Sequence, residues 1–306
     1  MSTQTTDTIL MVRPCAFGYN PETAVNNYFQ VPMPSSGNIQ EMALAEFDKM
    51  VSVLRANDIN VLVVDDNLSP HTPDSIFPNN WFSTHADGRI VLYPMYARNR
   101  RLERRQDIVQ LAQKHNAIKN EIVDISAYEA DGRFLEGTGS IIFDRDNGIA
   151  YASISERTDV VLFEELCKRL NYKVISFTAR QNAIDNRLPV YHTNVVMCLG
   201  KQFVVICMDS VDVESERALL LQSFAETKKQ LITITEAQME AFAGNMLQLT
   251  NKNGNDILLM SQAAYKSLTP EQIAQLSAHS KLIPVAVPTI EKHGGGSVRC
   301  MVAEIF

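Results

Sequence analysis

The 306-residue chain lacks any block of positive charge long enough to follow a nucleic-acid backbone. Its densest basic stretch, Arg98 to Arg105, contains Glu103, and 28 Lys plus Arg stand against 35 Asp plus Glu. With a formal net charge of −7, recognition of an anionic group would depend on a few locally placed arginines. No uncharged apolar run approaches the roughly 20 residues that span a bilayer. The start, MSTQTTDTILMVRP, has no basic segment leading into an apolar one, so a secretory leader is not expected. Cysteine is scarce: Cys15, Cys167, Cys198, Cys207 and Cys300 are an odd set without metal-ligand spacing. No glycine-rich dinucleotide fingerprint follows a strand; GTG (137–139) and GGG (294–296) lack the spacing. These absences predict a cytoplasmic protein with free thiols, no metal and no cofactor, and neither nucleic acid nor membrane as partner. A homo-oligomer is allowed but not indicated.

What is present is a repeat of structure. Helical periodicity starts near residues 39, 100, 158, 213 and 269, a period of roughly 55–61 residues. Each helix leads into a strand-like run: VLVVDD (61–66), EIVDIS (121–126), YKVISFT (172–178), QLITIT (230–235) and KLIPVAV (281–287). After each comes a loop and a second apolar strand, beginning at FPNNWFSTH (77–85), EGTGSIIF (136–143), YHTNVVMCLG (191–200), GNMLQLT (244–250) and GGGSVRCMVAEI (294–305). Four of these turn back at Asp87-Gly88, Asn147-Gly148, Gly200 and Gly254. The fifth ends without a downstream partner, which TILMVRP (8–14) is placed to supply. Five units completed circularly predict a closed five-bladed α/β propeller, one domain over 1–306. A doubly wound α/β sheet has a similar alternation, but its parallel crossovers would put helices where these hairpins stand.

In such a ring, equivalent loop-to-strand entries face one axis. Asp74 and Asn80 lie at the first, Glu136 at the second, His192 and Asn194 at the third and Cys300 at the last. A carboxylate, an imidazole and a thiol therefore share one mouth. A nucleophilic thiol must ionise, and His192, the adjacent Arg299 and the glycine turn at 294–296 are candidates to favour that. The plain alternative for Cys300 is a buried strand cysteine in SVRCMVAEI, and for His192 a satisfied turn histidine; their matched places in the repeat favour chemistry. Cys167, Cys198 and Cys207 sit in apolar patterns and read as inert core thiols. His293, close in sequence to Cys300, is the second candidate base, and His85 a candidate binder. Glu136, between Leu135 and Gly137, can accept from substrate N–H groups. Asp74 does similar work or holds a turn in TPDS. Arg157, in SERT (155–158), is a candidate carboxylate grip beside a helix-capping Ser155 or Thr158; Arg100, in RNRRLERR, is a weaker one because such a run is usually a solvated helix face. The Pro- and Asn-rich segment 14–38, with Gly18 and Gly37, is placed to cover the mouth.

The set PDSIFPNNW (73–81), RRLE (100–103), LEGTGS (135–140), SERT (155–158), YHTN (191–194) and GGGSVRCM (294–301) resembles the guanidine-modifying superfamily. Arginine deiminases, dimethylarginine dimethylaminohydrolases and glycine amidinotransferases belong to it, on the five-bladed α/β propeller called the pentein fold. The resemblance covers nearly the whole chain. It implies Cys300 as nucleophile, His192 as general acid/base, Glu136 holding substrate nitrogens, Arg100 and Arg157 gripping an α-carboxylate, and Asp74 as a substrate-side acid. Asn80 and Asn194 depart from it: the family often has Asp at the first, and arginine deiminases have Asp at the second. Loss of two carboxylates weakens selection of a cation, while an amide can donate to a neutral ureido carbonyl. A branch proposed to hydrolyse citrulline has a similar FPNNW pattern. The expected activity is hydrolysis of a C–N bond in a small ureido or guanidino amino acid through a covalent Cys300 intermediate. Arginine or methylarginine hydrolysis, amidino transfer to an amine, and a non-catalytic binding module on the same ring are the alternatives.

Overall fold

The computed structural model describes residues 4–32, 38–115, 121–183 and 186–306, and Gly37 of the expected covering segment lies outside them. Five longer helices, Ile39–Ala56, Gln106–His115, Val160–Leu170, Glu214–Glu226 and Pro270–Ser277, each lead into a strand, as the periodicity predicts. Val160–Leu170 illustrates why these segments are helical. Asp159 caps its first turn by accepting from Leu162 N, Asn171 ends it in the left-handed conformation, and Leu162, Phe163, Leu166, Cys167 and Leu170 form one buried face. Pro270–Ser277 begins with a Thr269–Gln272 capping box.

Among the described residues, five three-stranded sheets repeat one topology: a short first strand, an antiparallel second, and a third running parallel to the second after the helix. They are Phe82–Thr84, Arg89–Leu92 and Glu121–Asp124; Ile142–Asp144, Ile149–Ser153 and Lys173–Phe177; Met197–Leu199, Phe203–Ile206 and Gln230–Thr233; and Leu247–Thr250, Asp256–Ser261 and Lys281–Val285. In the fifth, Ala303–Ile305 pairs antiparallel with Thr8–Arg13, Thr8 opposite Ile305, and Thr8–Arg13 runs parallel to Asn60–Asp65. The N-terminal strand thus supplies the partner that the last unit lacks. Middle strands such as Ile149–Ser153 and Phe203–Ile206 are buried at every residue and read as continuous apolar runs. Outer strands such as Lys281–Val285 alternate.

The structure departs from the sequence reading at the strand entries. The residues before three of the short first strands form single helical turns, Pro78–Asn80, Gly137–Ser140 and Thr193–Val196. Cys300 is also in a turn, its N–H donating to Ser297 O, and the strand starts only at Ala303. The helix expected from residue 100 begins at Gln106, after a 3₁₀ turn at Asn99–Glu103. The helix after SERT is capped by Asp159; Ser155 and Thr158 instead bond Tyr191 O and Ser140 Oγ. A polar hairpin, Arg180–Ala183 with Asn186–Pro189, has no counterpart among the described residues of the other units. Its sequence carries no apolar alternation, so periodicity gave no sign of it. Among the described residues no helix is long and apolar enough to cross a membrane.

Candidate active site

The single turns at the strand entries carry the polar residues, and the structure brings them together. Cys300, His192, Asp74, Asn80, Arg100 and Arg157 line one cavity of about 250 Å³. Glu136 and Asn194 stand behind its wall, touching His192 and Cys300 respectively. All eight are buried.

Glu136 Oε2 accepts from His192 Nε2 at 2.8 Å, and Oε1 accepts from Tyr96 N at 2.9 Å. Arg157 Nη1 lies 3.6 Å from Oε2. Burial opposes the negative charge, but Arg157, His192 and Arg100 outweigh it and hold the Glu136 carboxyl down at about 2. Both oxygens are therefore engaged by the protein. Glu136 orients the imidazole. For His192, burial lowers the pKa to about 4 against the pull of Glu136, so the ring is neutral at neutral pH. An ionised Glu136 requires the proton on Nε2, which leaves Nδ1 with the lone pair. The ring rests on Gly139, where a Cβ would lie 2.8 Å from His192 Nδ1.

Cys300 Sγ receives two carboxamide contacts, from Asn245 Nδ2 at 3.4 Å and Asn194 Nδ2 at 3.6 Å. Burial raises its thiol pKa, so the resting pair is thiol and neutral imidazole. Arg299 pulls that pKa down, as expected, while its guanidinium bonds Val302 O at 3.0 Å and pairs with Glu304 at 2.6 Å. Cys167, Cys198 and Cys207 have thiols pushed by burial up to about 12, about 12 and about 11, which fits inert core thiols.

The arginines are anchored more firmly than the sequence suggests. Arg100 is buried, not a solvated face; it holds Glu103 with two bonds of 2.9 Å, Asn80 Oδ1 at 2.7 Å and Phe77 O at 3.0 Å. Arg157 bonds Asn26 Oδ1 and Thr23 O and lies 5.0 Å over the Tyr191 ring. Among the described residues its Nη1 meets only Glu136, so that nitrogen retains donors for a ligand.

Asp74 Oδ2 accepts from Asn20 Nδ2 at 2.7 Å and Thr23 Oγ1 at 3.0 Å, while buried Oδ1 has no partner. Burial raises its pKa against the nearby Arg100. Gln30 also leaves Oε1 unpartnered, because its Nε2 donates to Thr23 Oγ1 at 2.9 Å. With the hydroxyl hydrogen of Thr23 directed to Asn20 O or Asp74, Thr23 accepts from Gln30. Two acceptor oxygens in the cavity wall thus await a donor.

The described part of the covering segment lies over this cavity. Thr23, Asn27 and Gln30 line it, Asn27 Nδ2 donates to Gly295 O at 3.1 Å and Val31 N to Lys292 O at 2.8 Å. Gly295, at φ +64°, closes the helix Pro288–Gly294, and a Cβ there would lie 2.5 Å from Gln30 Cγ. The glycine turn thus admits the covering segment. His293 faces Val31 O at 3.0 Å, and His85 is bonded to Ser83 and Arg145; neither lines the cavity. Asn245 and Gln30 were missed from sequence. Asn245 occupies the entry of the fourth unit, the one unit left without a polar candidate, and the repeat itself could have found it. Among the described residues no group of three or more His, Cys, Asp or Glu is arranged to hold a metal.

A family profile described as "N,N dimethylarginine dimethylhydrolase, eukaryotic" matches residues 13–306. No curated protein matches the chain in sequence. Among solved structures, the substrate-bound N-terminal domain of ArgZ, an arginine dihydrolase of the ornithine–ammonia cycle in cyanobacteria, is 21% identical with a TM-score of 0.72. That alignment covers 97% of this chain and 97% of that one, whereas the chain spans 40% of full-length ArgZ. A binary complex of an AgrE variant with L-arginine is 18% identical, with a TM-score of 0.74 and coverage of 98% and 40%. A dimethylarginine dimethylaminohydrolase variant carrying an S-methyl-L-thiocitrulline adduct is 15% identical, with a TM-score of 0.64 and coverage of 98% and 99%.

Proposed function

The chain belongs to the eukaryotic N,N-dimethylarginine dimethylhydrolase family and is a cysteine-dependent hydrolase of non-peptide C–N bonds, and from this premise we propose that it hydrolyses a citrulline-like ureido amino acid on Cys300. The five sheets form the blades of one closed ring, a single catalytic domain over 1–306, with the cavity at one end of its axis. The observation that carries the substrate reading is the shell around the thiol. Sγ is touched by the carboxamides of Asn194 and Asn245, and Asn80, whose Oδ1 accepts from Arg100 and whose Nδ2 donates to Asn79, lines the cavity. Glu136 accepts from His192 and Tyr96 behind the cavity wall. The side-chain groups against the sulfur are therefore amides and not carboxylates, which suits a neutral head. In the same lining, the free oxygens of Asp74 and Gln30 suit an α-ammonium, and Arg157 Nη1, with Arg100 also in the wall, suits the α-carboxylate.

In the reaction, the Cys300 thiol passes its proton to His192 Nδ1 as sulfur attacks the ureido carbon. The C=O electron pair moves to oxygen and returns as the C–N bond breaks, with His192 protonating the departing nitrogen. His192 then takes a proton from water, whose oxygen attacks the same carbon and displaces the thiol. From citrulline the summed products are ornithine and carbamate, which decomposes to ammonia and carbon dioxide.

A second reading, arginine as first substrate, is favoured by likeness to the arginine dihydrolase and by the buried Asp74 carboxylate. Parallel kinetics on citrulline, arginine and methylated arginines separate the two. Citrulline is expected to lead arginine in kcat/KM, with Asn80→Asp moving the ratio about tenfold toward arginine; arginine turned over far faster by the unaltered chain defeats the neutral-head reading. Gln30→Leu is expected to raise KM about tenfold with little change in kcat, because one hydrogen bond to a charged group is lost away from the reacting carbon. An unchanged KM removes Gln30 from the ammonium site.

A further inference from the structure

The fourth unit contributes a group to the reacting atom itself. A Cβ at Gly244 would lie 2.1 Å from Val195 O, so only glycine lets this entry press against the third unit. That approach brings Asn245, fully buried, between Asn194 and Cys300. Its Oδ1 accepts from Arg299 N at 3.0 Å, and its Nδ2 donates to Asn194 O at 2.8 Å and to Cys300 Sγ at 3.4 Å. Reversing the amide would set oxygen against the Asn194 carbonyl and NH₂ against the Arg299 N–H, so the orientation is fixed. The sulfur therefore always faces a donor on this side, and its own hydrogen is directed elsewhere.

We propose that Asn245 is a further catalytic residue: its fixed carboxamide N–H stabilises the sulfur anion that forms as Cys300 gives up its proton. The proposal rests on Cys300 being the attacking group. Donors fixed where charge develops are among the largest catalytic contributions, and the second, longer contact from Asn194 makes a pair. The titratable and charged groups around this sulfur are His192, Tyr191 and Arg299, with Asp74, Arg100 and Arg157 farther along the cavity. Arg299, paired with Glu304, adds a charge that also favours the anion, but among the described residues the side chains that donate to Sγ are the two amides, and His192 is neutral at rest.

The test is iodoacetamide alkylation of Cys300, followed by the mass of its peptide across a pH series, in the unaltered chain, Asn245→Ala and Asn245→Asp. The alkylation midpoint is expected to rise by about one pH unit in Asn245→Ala and further in isosteric Asn245→Asp, which sets an acceptor against sulfur. In both, kcat is expected to fall about tenfold or more with KM little changed. Midpoints equal to that of the unaltered chain, with only a lower Tm, would mean that Asn245 merely props its neighbours and would overturn the proposal. Full turnover by a chain quantitatively alkylated at Cys300 would overturn the nucleophile assignment and this proposal together.

Discussion

Cys300→Ala is expected to lower citrulline turnover by at least about 10⁴-fold and to abolish any covalent adduct in substrate-quenched protein. The size follows from what the cavity holds. His192 is neutral, its Nδ1 has no partner among the described residues, and Cys300 lines the same cavity. Without sulfur the residual rate would come from binding alone, with water attacking a ureido carbon that no bond to the enzyme has activated. The fold should survive. Truncation removes one buried atom and two weak N–H contacts, from Asn194 and Asn245, a cost of about 1–2 kcal/mol. Circular dichroism and Tm separate this from unfolding. A folded variant that retains full turnover, or an adduct that maps to another residue, ends the assignment.

Legibility from sequence followed the range of the forces involved. The helix faces and outer strands were readable because their apolar periods are local, as in Val160–Leu170 and Lys281–Val285. The pairing of Thr8–Arg13 with Ala303–Ile305 was readable only through the repeat, since nothing local connects them. The single turns at Gly137–Ser140 and Thr193–Val196 were hidden: four residues carry too little period, and tertiary contacts decide them. The same distinction divides the site. Cys300, His192 and Glu136 could be picked out as candidates because they recur at one place in the repeat. That Glu136 accepts from Tyr96 N–H and His192 was not legible, because both contacts are set by tertiary packing. Arg100 looked like part of a solvated run because Glu103, which neutralises it in the interior, is also what makes RNRRLERR look like surface. Gln30 could not be found at all, since its unpartnered oxygen follows from the donor order of Asn20, Thr23 and Asp74 in space.

Those two occupied oxygens determine what Glu136→Gln will do. Tyr96 N–H at 2.9 Å requires an acceptor at the Oε1 position, so the glutamine must place its carbonyl there. Its NH₂ then faces His192 Nε2, where the carboxylate stood. To accept from it, His192 must shift its proton to Nδ1 and can no longer take one from Cys300. The expected loss in kcat is about 10³–10⁴-fold, the scale seen when a triad carboxylate becomes an amide and the tautomer reverses. Stability carries a second, independent signature. Glu136 is held at about 2, below an unfolded carboxyl, so its contribution is complete above the unfolded value and is lost as pH falls through the folded one. That window, roughly pH 4.5 to 2, should cost the unaltered chain about 3 kcal/mol from this group. His192, lowered to about 4, adds loss of the same sign between roughly pH 6.5 and 4, since the unfolded ring binds a proton that the buried one refuses. Glu136→Gln should therefore be less stable at neutral pH, where Arg157 has lost its partner, and flatter in Tm below pH 4.5. A variant with nearly full kcat would mean that the carboxylate does not set the proton on His192; an acid limb as steep as that of the unaltered chain would mean that Glu136 is not held ionised by the charges around it.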